Sequence, residues 1–145
     1  MYPARLDDKG RLKLPAEFQR YLGGLPEKRL FVTSLDRRIA TIYPVAVWKE
    51  NEKFFESYTE DPAKARNVAF TAADLGSEAE MDAQGRIQFS TELRRELGIE
   101  NQPVRLQAFN RSIQVLSDAI YQARRAESAK SPEADVMALQ KAGLK

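Results

Sequence analysis

Cysteine and histidine are both missing from this chain. Their absence removes thiolate nucleophiles, disulfide frameworks, zinc sites built on Cys or His, and the commonest general base. No stretch reaches the roughly 18 apolar residues of a membrane span, and the N-terminal residues lack the apolar core of a secretory signal. A strong excess of one charge is lacking too. The 23 Lys and Arg stand against 21 Asp and Glu in 145 residues, a formal +2. Any polyanion site must therefore come from local arrangement, because the global charge supplies little attraction. These absences predict a cytoplasmic protein with no metal, no cofactor and no membrane segment. The length suits one compact domain or two small, mutually dependent halves.

What the chain does contain is an echo. Leu6-Asp7-Asp8-Lys9-Gly10-Arg11-Leu12-Lys13-Leu14-Pro15 returns as Met81-Asp82-Ala83-Gln84-Gly85-Arg86-Ile87-Gln88-Phe89-Ser90. At an offset of 75, residues 6–23 and 81–98 share seven identities in eighteen positions: Asp7/Asp82, Gly10/Gly85, Arg11/Arg86, Glu17/Glu92, Arg20/Arg95, Leu22/Leu97 and Gly23/Gly98. At an offset of 74 the likeness continues through Leu30-Phe31-Val32 against Val104-Arg105-Leu106, and Asp36-Arg37 against Asn110-Arg111. A whole supersecondary unit is duplicated.

Within the first unit, Leu6, Leu12 and Leu14 alternate with polar residues around Asp7-Asp8-Lys9-Gly10, the pattern of two strands meeting at a tight turn. Pro15 suits a helix start, Phe18, Tyr21 and Leu22 fall at i, i+3 and i+4, and Gly23-Gly24 suits the helix end. Arg29–Thr33 and Ile39–Tyr43 read as strands joined by a turn. From Pro44 the texture turns helical, with Val47, Trp48, Phe54, Phe55 and Tyr58 near one stripe that predicts core packing. A short helix after Asp61-Pro62 carries Val68 and Phe70. Beyond the second unit, Ser117 suits a helix cap, with a break at Ser131-Pro132 and a weak apolar stripe through Val136, Met137 and Leu139.

The repeated Asp and Gly have a structural reading. Asp favours the first turn position and Gly adopts a positive φ without steric cost, so Asp7, Asp82, Gly10 and Gly85 serve the turn. Arginine is not demanded by a turn. Arg11 and Arg86 either pair locally with the Asp four residues earlier or project from the ribbon towards an anion, and the residues alone leave both open. Arg5, Lys9, Arg11 and Lys13 cluster in the first unit, where residues 1–30 hold seven Lys and Arg against four Asp and Glu. The second unit is less basic, with Ala83, Gln84 and Gln88 in place of Asp8, Lys9 and Lys13. Arg94-Arg95 and Arg124-Arg125 read as solvated helix faces. Exposed turn carboxylates lack the burial that tunes a catalytic pKa, so no catalytic residue and no small-molecule substrate are predicted.

The two Asp-x-x-Gly-Arg turns, with Tyr43-Pro44-Val45-Ala46-Val47-Trp48 between them, resemble the MraZ family of bacterial transcriptional regulators from about residue 5 to about residue 120. The resemblance implies an α+β fold of two tandem AbrB-like β-turn-β-α-β-β repeats, combined into one pseudo-symmetric swapped-hairpin barrel with a helical insertion and C-terminal helices. The corresponding segments are 1–45, 46–75, 76–116 and 117–145. It further implies a nucleoid-associated, ring-shaped homo-oligomer that binds repeated double-stranded DNA sequences and represses its own division and cell-wall operon. On this chain the family pattern assigns DNA contact to Arg11 and Arg86, and phosphate or base contact to Lys9. Arg5 and Lys13 are weaker candidates, and Asp7 and Asp82 position the arginines. Two departures from the family stand out: only six residues precede Asp7, so a short first strand is expected, and Ser90 replaces a common proline. A rival reading is an AbrB-type antitoxin or interaction module that grips a partner through segment 117–145.

Overall fold

A computed structural model describes residues 1–145. In chain order the first half comprises β1 (Tyr2–Arg5), β2 (Arg11–Lys13), α1 (Ala16–Gly23), β3 (Leu30–Ser34) and β4 (Ala40–Pro44), followed by α2 (Val45–Ser57) and α3 (Pro62–Leu75). The second half comprises β5 (Ser77–Ala79), β6 (Arg86–Gln88), α4 (Thr91–Leu97), β7 (Pro103–Phe109) and β8 (Ser112–Ser117), and ends in α5 (Asp118–Ser128) and α6 (Pro132–Lys141). The architecture is mixed α and β with antiparallel sheets. No helix is long and apolar enough to cross a membrane.

The strands form an open six-stranded sheet in the order β1-β7-β8-β4-β3-β5, and a separate two-stranded ribbon of β2 and β6. These pairings describe a sheet and a ribbon and trace no closed barrel. Nor do β1 and β2 form the simple hairpin that the alternating pattern suggests. They are joined by the turn and one bridge between Leu6 and Leu12, and each then finds its main partner in the other half of the chain. Thus β1 pairs with β7, β5 pairs with β3, and β2 pairs with β6, while β4 and β8 meet at the centre of the sheet. Period-two alternation fixes which face of a strand is buried, but it does not name the strand's partner.

One core collects residues from both halves. Leu6, Leu12, Leu14, Leu30, Val32 and Ile42 pack with Ile87, Phe89, Leu93, Ile99, Val104 and Leu106. In α1, Phe18 and Leu22 enter this core, whereas Tyr21 stays exposed. The repeated glycines after the two helices differ in role. Gly23 is the last residue of α1, while Gly98 caps α4 at φ 64° and donates its N–H to the Arg94 and Arg95 carbonyls.

The insertion covers the far side of β3 and β4. Trp48 is buried against Phe31 at 4.6 Å and Tyr43 at 5.1 Å between ring centroids. The Thr33 hydroxyl donates to the Ala72 carbonyl at 2.7 Å and ties α3 to the sheet. The helix after Asp61-Pro62 is longer than its sequence pattern suggests, at 14 residues, and Asp61 caps it by accepting the Lys64 N–H. One aromatic expected in the core, Phe54, lies outside it, and Phe70 of α3 is exposed as well. In the tail, Ser117 caps α5 and Arg105 lies 4.4 Å above the Tyr121 ring, but α6 is exposed along its whole length.

Leu12 and Ile87 face each other in the ribbon register and are completely buried. Truncating either to alanine is expected to cost about 2–5 kcal/mol of stability, read as a lower midpoint in urea. A midpoint unchanged in both variants would show that the ribbon is not anchored through this pair.

Candidate nucleic-acid interface

The two Asp-x-x-Gly-Arg stretches fold into turns with matching hydrogen bonds. In the first, Asp7 Oδ1 accepts the backbone N–H of Lys9 at 2.9 Å and of Arg11 at 2.8 Å, while Oδ2 accepts Arg11 Nε at 2.8 Å. In the second, Asp82 Oδ1 accepts the N–H of Gln84 and of Arg86, both at 2.9 Å, and Oδ2 accepts Arg86 Nε at 2.9 Å. A short acidic side chain at the first turn position thus fills the donors that the turn leaves unpaired. Gly10 and Gly85, at φ 79° and 75°, complete the reversal.

These bonds answer the choice that the sequence leaves open for Arg11 and Arg86. Each arginine does pair with its own Asp, but only through Nε. Nη1 and Nη2 of both guanidinium groups find no hydrogen-bond partner in the chain. The side chains remain 30% and 28% exposed. Local pairing and outward presentation are therefore one arrangement. A carboxylate on one nitrogen fixes the plane of the guanidinium and leaves the two terminal nitrogens, the pair suited to a bidentate acceptor, facing out.

The ribbon places the turns side by side. Arg11 stands opposite Gln88, and Lys13 opposite Arg86, with Leu12 and Ile87 between them pointing into the core. Alternation along the strands puts Arg11, Lys13, Arg86 and Gln88 on the outward face together. Bonds across the ribbon respect the same pseudo-symmetry: Phe89 N–H donates to the Gly10 carbonyl and Leu14 N–H to the Gly85 carbonyl, both at 2.9 Å.

Lys9 lies exposed on the first turn, and its ammonium has no partner in the chain. Lys13 is on the ribbon face, but its ammonium is engaged with the Gln84 carbonyl of the second turn. Arg5 lies apart from the turn tips. Its Nη2 donates to the Asn101 carbonyl at 2.8 Å, on the connection between α4 and β7. Arg95 is exposed as expected, but Arg94 is not a solvated helix residue. Its side chain is only 13% exposed, and Nη1 donates to the Phe89 carbonyl at 2.7 Å. Gln19 occupies the equivalent place and donates to the Leu14 carbonyl at 2.7 Å. Sequence reasoning passed over Gln19 and read Arg94 as solvated, although the offset of 75 aligns them as two long side chains with hydrogen-bond donors.

The electrostatics follow from the turn bonds. The Arg11 backbone N–H, together with the Arg11 side chain and the Lys9 N–H, holds the Asp7 carboxyl below its ordinary value of 3.8, against a smaller opposing effect of desolvation. The Arg86 N–H, the Arg86 side chain and the Gln84 N–H do the same for Asp82. Both acids are carboxylates near neutral pH, so each arginine is held by a full negative charge. No group of three acidic side chains is placed to hold a metal ion.

No family model matches the chain. Individual relatives do. The chain is similar to the transcriptional regulator MraZ of Acidobacterium capsulatum, with 40% identity over 87 residues, 59% of each protein. It is similar to the transcriptional regulator MraZ of Nitrosomonas europaea, with 33% identity over 99 residues, 68% of this chain and 67% of the relative. The same is true of the transcriptional regulator MraZ of Saccharopolyspora erythraea, with 36% identity over 110 residues, 74% of this chain and 72% of the relative. The matched part thus spans less than two thirds of the Acidobacterium protein's length and somewhat more of the other two.

A carboxyl whose pKa is lowered by folding stabilises the fold above its unfolded value, and that contribution disappears as pH falls through the folded value. The melting temperature of the wild type should therefore exceed that of an Asp7→Asn/Asp82→Asn double variant near neutral pH. The gap should begin to narrow as pH falls past 3.8 and close only below the lowered folded-state values, where both carboxylates take up protons. A gap that persists unchanged in acid would mean that the charge of these two side chains does not hold the turns.

Proposed function

Because the chain belongs to the MraZ family of transcriptional regulators, we propose that it acts by binding double-stranded DNA through the β2–β6 ribbon and its two turns. The observation that carries this reading is the pair of guanidinium groups, each fixed through Nε by its own Asp and open at both terminal nitrogens. Arg11 and Arg86 contact the DNA, and Lys9 supplies a phosphate or base contact from the first turn. Asp7, Asp82, Gly10 and Gly85 hold the contact groups in place. Arg5 and Lys13 contribute less, because their nitrogens already donate to backbone carbonyls. A two-stranded ribbon fits the major groove, where an arginine fork matches guanine O6 and N7 and equally well a phosphate.

The exchange of β1 and β5 between halves supports reading residues 1–45 and 76–116 as AbrB-like swapped hairpins that imitate a dimer within one chain. Segment 46–75 is then a helical insertion and 117–145 a helical tail. We extend the reading to a ring-shaped homo-oligomer at the nucleoid, repressing the operon of division and cell-wall genes to which it belongs. A formal +2 gives one subunit little hold on DNA, whereas several ribbons engaging successive repeats gain effective concentration with each contact. The exposed Phe54, Phe70 and Phe109, and the apolar residues of α6, supply surface for subunit contacts.

Arg11→Ala or Arg86→Ala should each weaken binding to the upstream region by roughly 5- to 150-fold, the equivalent of about 1–3 kcal/mol per lost bidentate contact. The double variant should lose the specific complex while eluting and melting like the wild type. Electrophoretic shift with size-exclusion chromatography measures this, and undiminished affinity in the double variant overturns the assignment. Removal of residues 130–145 should give a smaller assembly without changing DNA preference. An unchanged elution volume would assign subunit contacts elsewhere.

A further inference from the structure

Each turn is braced from behind by a residue of the opposite half, and the two braces are unequal. Behind the first turn lies Arg94 of α4. Its Nη1 donates to the Phe89 carbonyl at 2.7 Å and approaches the Lys9 carbonyl at 3.5 Å, and its Nη2 donates to the Thr91 hydroxyl at 3.3 Å. Nε lies 3.8 Å from a Glu100 carboxylate oxygen. The guanidinium passes so close to Gly10 that a Cβ there would come within 1.7 Å of Nη1. The Lys9 carbonyl also accepts Gln88 Nε2 at 2.8 Å. Behind the second turn lies Gln19, whose amide would meet a Cβ on Gly85 at 2.3 Å but donates only to the Leu14 carbonyl. The Gln84 carbonyl of the second turn accepts the Lys13 ammonium as the Lys9 carbonyl accepts Gln88, so the inequality lies beneath the glycines: a rigid, permanently charged fork that also approaches the Lys9 carbonyl lies under Gly10, and a neutral amide lies under Gly85.

We propose that Arg94 is a positioning residue for DNA reading: it fixes the Lys9–Gly10 peptide from the opposite half, so that Lys9 and Arg11 meet the duplex in one geometry. This rests on the reading of the turns as the DNA-contacting groups. Arg94 itself does not reach the ligand, because its donors are directed inward to carbonyls and a hydroxyl and its side chain is largely covered. Its effect is pre-organisation, which lowers the ordering cost at binding without adding an ionic contact.

The test is Arg94→Met in the full chain, with Arg94→Gln as a gentler variant that copies the Gln19 arrangement and keeps the donor to Phe89. Two readouts are needed: backbone amide exchange of residues 9–11 and 84–86, and DNA affinity across a salt series. Losing the brace should speed exchange of residues 9–11 about fivefold, the worth of one ordinary hydrogen bond, and leave 84–86 unchanged. Affinity should fall by a similar factor with the salt slope unaltered, whereas removing a phosphate contact would lower that slope by about one. If Arg94→Met does not fold cooperatively, Arg94→Gln is expected to show the same selective change at reduced size.

Wild-type exchange at residues 9–11, equal loosening of both turns, or a reduced salt slope would each overturn the proposal. Failure of the DNA reading shows separately, as wild-type affinity in the Arg11→Ala/Arg86→Ala variant. In that event the selective exchange change still establishes the brace, and the role in DNA reading falls with the site.

Discussion

The pairing of β2 with β6 is the constraint on which the molecule depends. Each strand is only three residues long, too short to stand alone. Each is held because its central residue, Leu12 or Ile87, is sealed into a core to which both halves contribute. Since β1 and β5 also cross over, neither half keeps a complete sheet or a closed core when considered separately. Everything on the outward face inherits its placement from this mutual closure.

The Asp side chains then convert a rigid ribbon into two presented cations. An exposed Arg–Asp pair contributes little stability, so the value of the arrangement lies in direction. Oδ1 ties down the turn backbone and Oδ2 sets the guanidinium plane, which leaves an arginine with few remaining rotamers and two terminal nitrogens turned outward. Side chains from the opposite half stop the turns from drifting: Gln88 and Arg94 on the first, and Lys13 and Gln19 in the second.

Much of this was legible in the chain because the duplication repeats its own signals. Local chemistry located the turns, the helix cap at Ser117, the helix start after Asp61-Pro62 and the break before Pro132, since each depends on residues within a few positions. Local chemistry could not say that the strand after Gly10 pairs with the strand after Gly85, because alternation is blind to partners. It also misplaced Phe54, whose helical spacing resembles a core stripe although the sheet it would cover is already occupied by Trp48. Arg94 was hidden for a related reason: an arginine on a short helix looks solvated until a glycine from elsewhere in the chain is seen beneath it. The pairing within the turns was half legible, since spacing suggested the Asp–Arg contact but only geometry showed that it consumes a single nitrogen.

Carrying both halves on one polypeptide has a consequence of its own. A dimer of identical chains must repeat every substitution on both sides of its axis, whereas here Lys9 corresponds to Gln84, Lys13 to Gln88 and Gln19 to Arg94 under the pseudo-symmetry. The ribbon consequently has two unlike ends: the first turn carries an unpartnered Lys9, whereas the second carries Gln84 with the Lys13 ammonium on its carbonyl. Any elongated partner laid along it meets two orientations of different energy, so the molecule can tell head from tail where a perfect twofold could not.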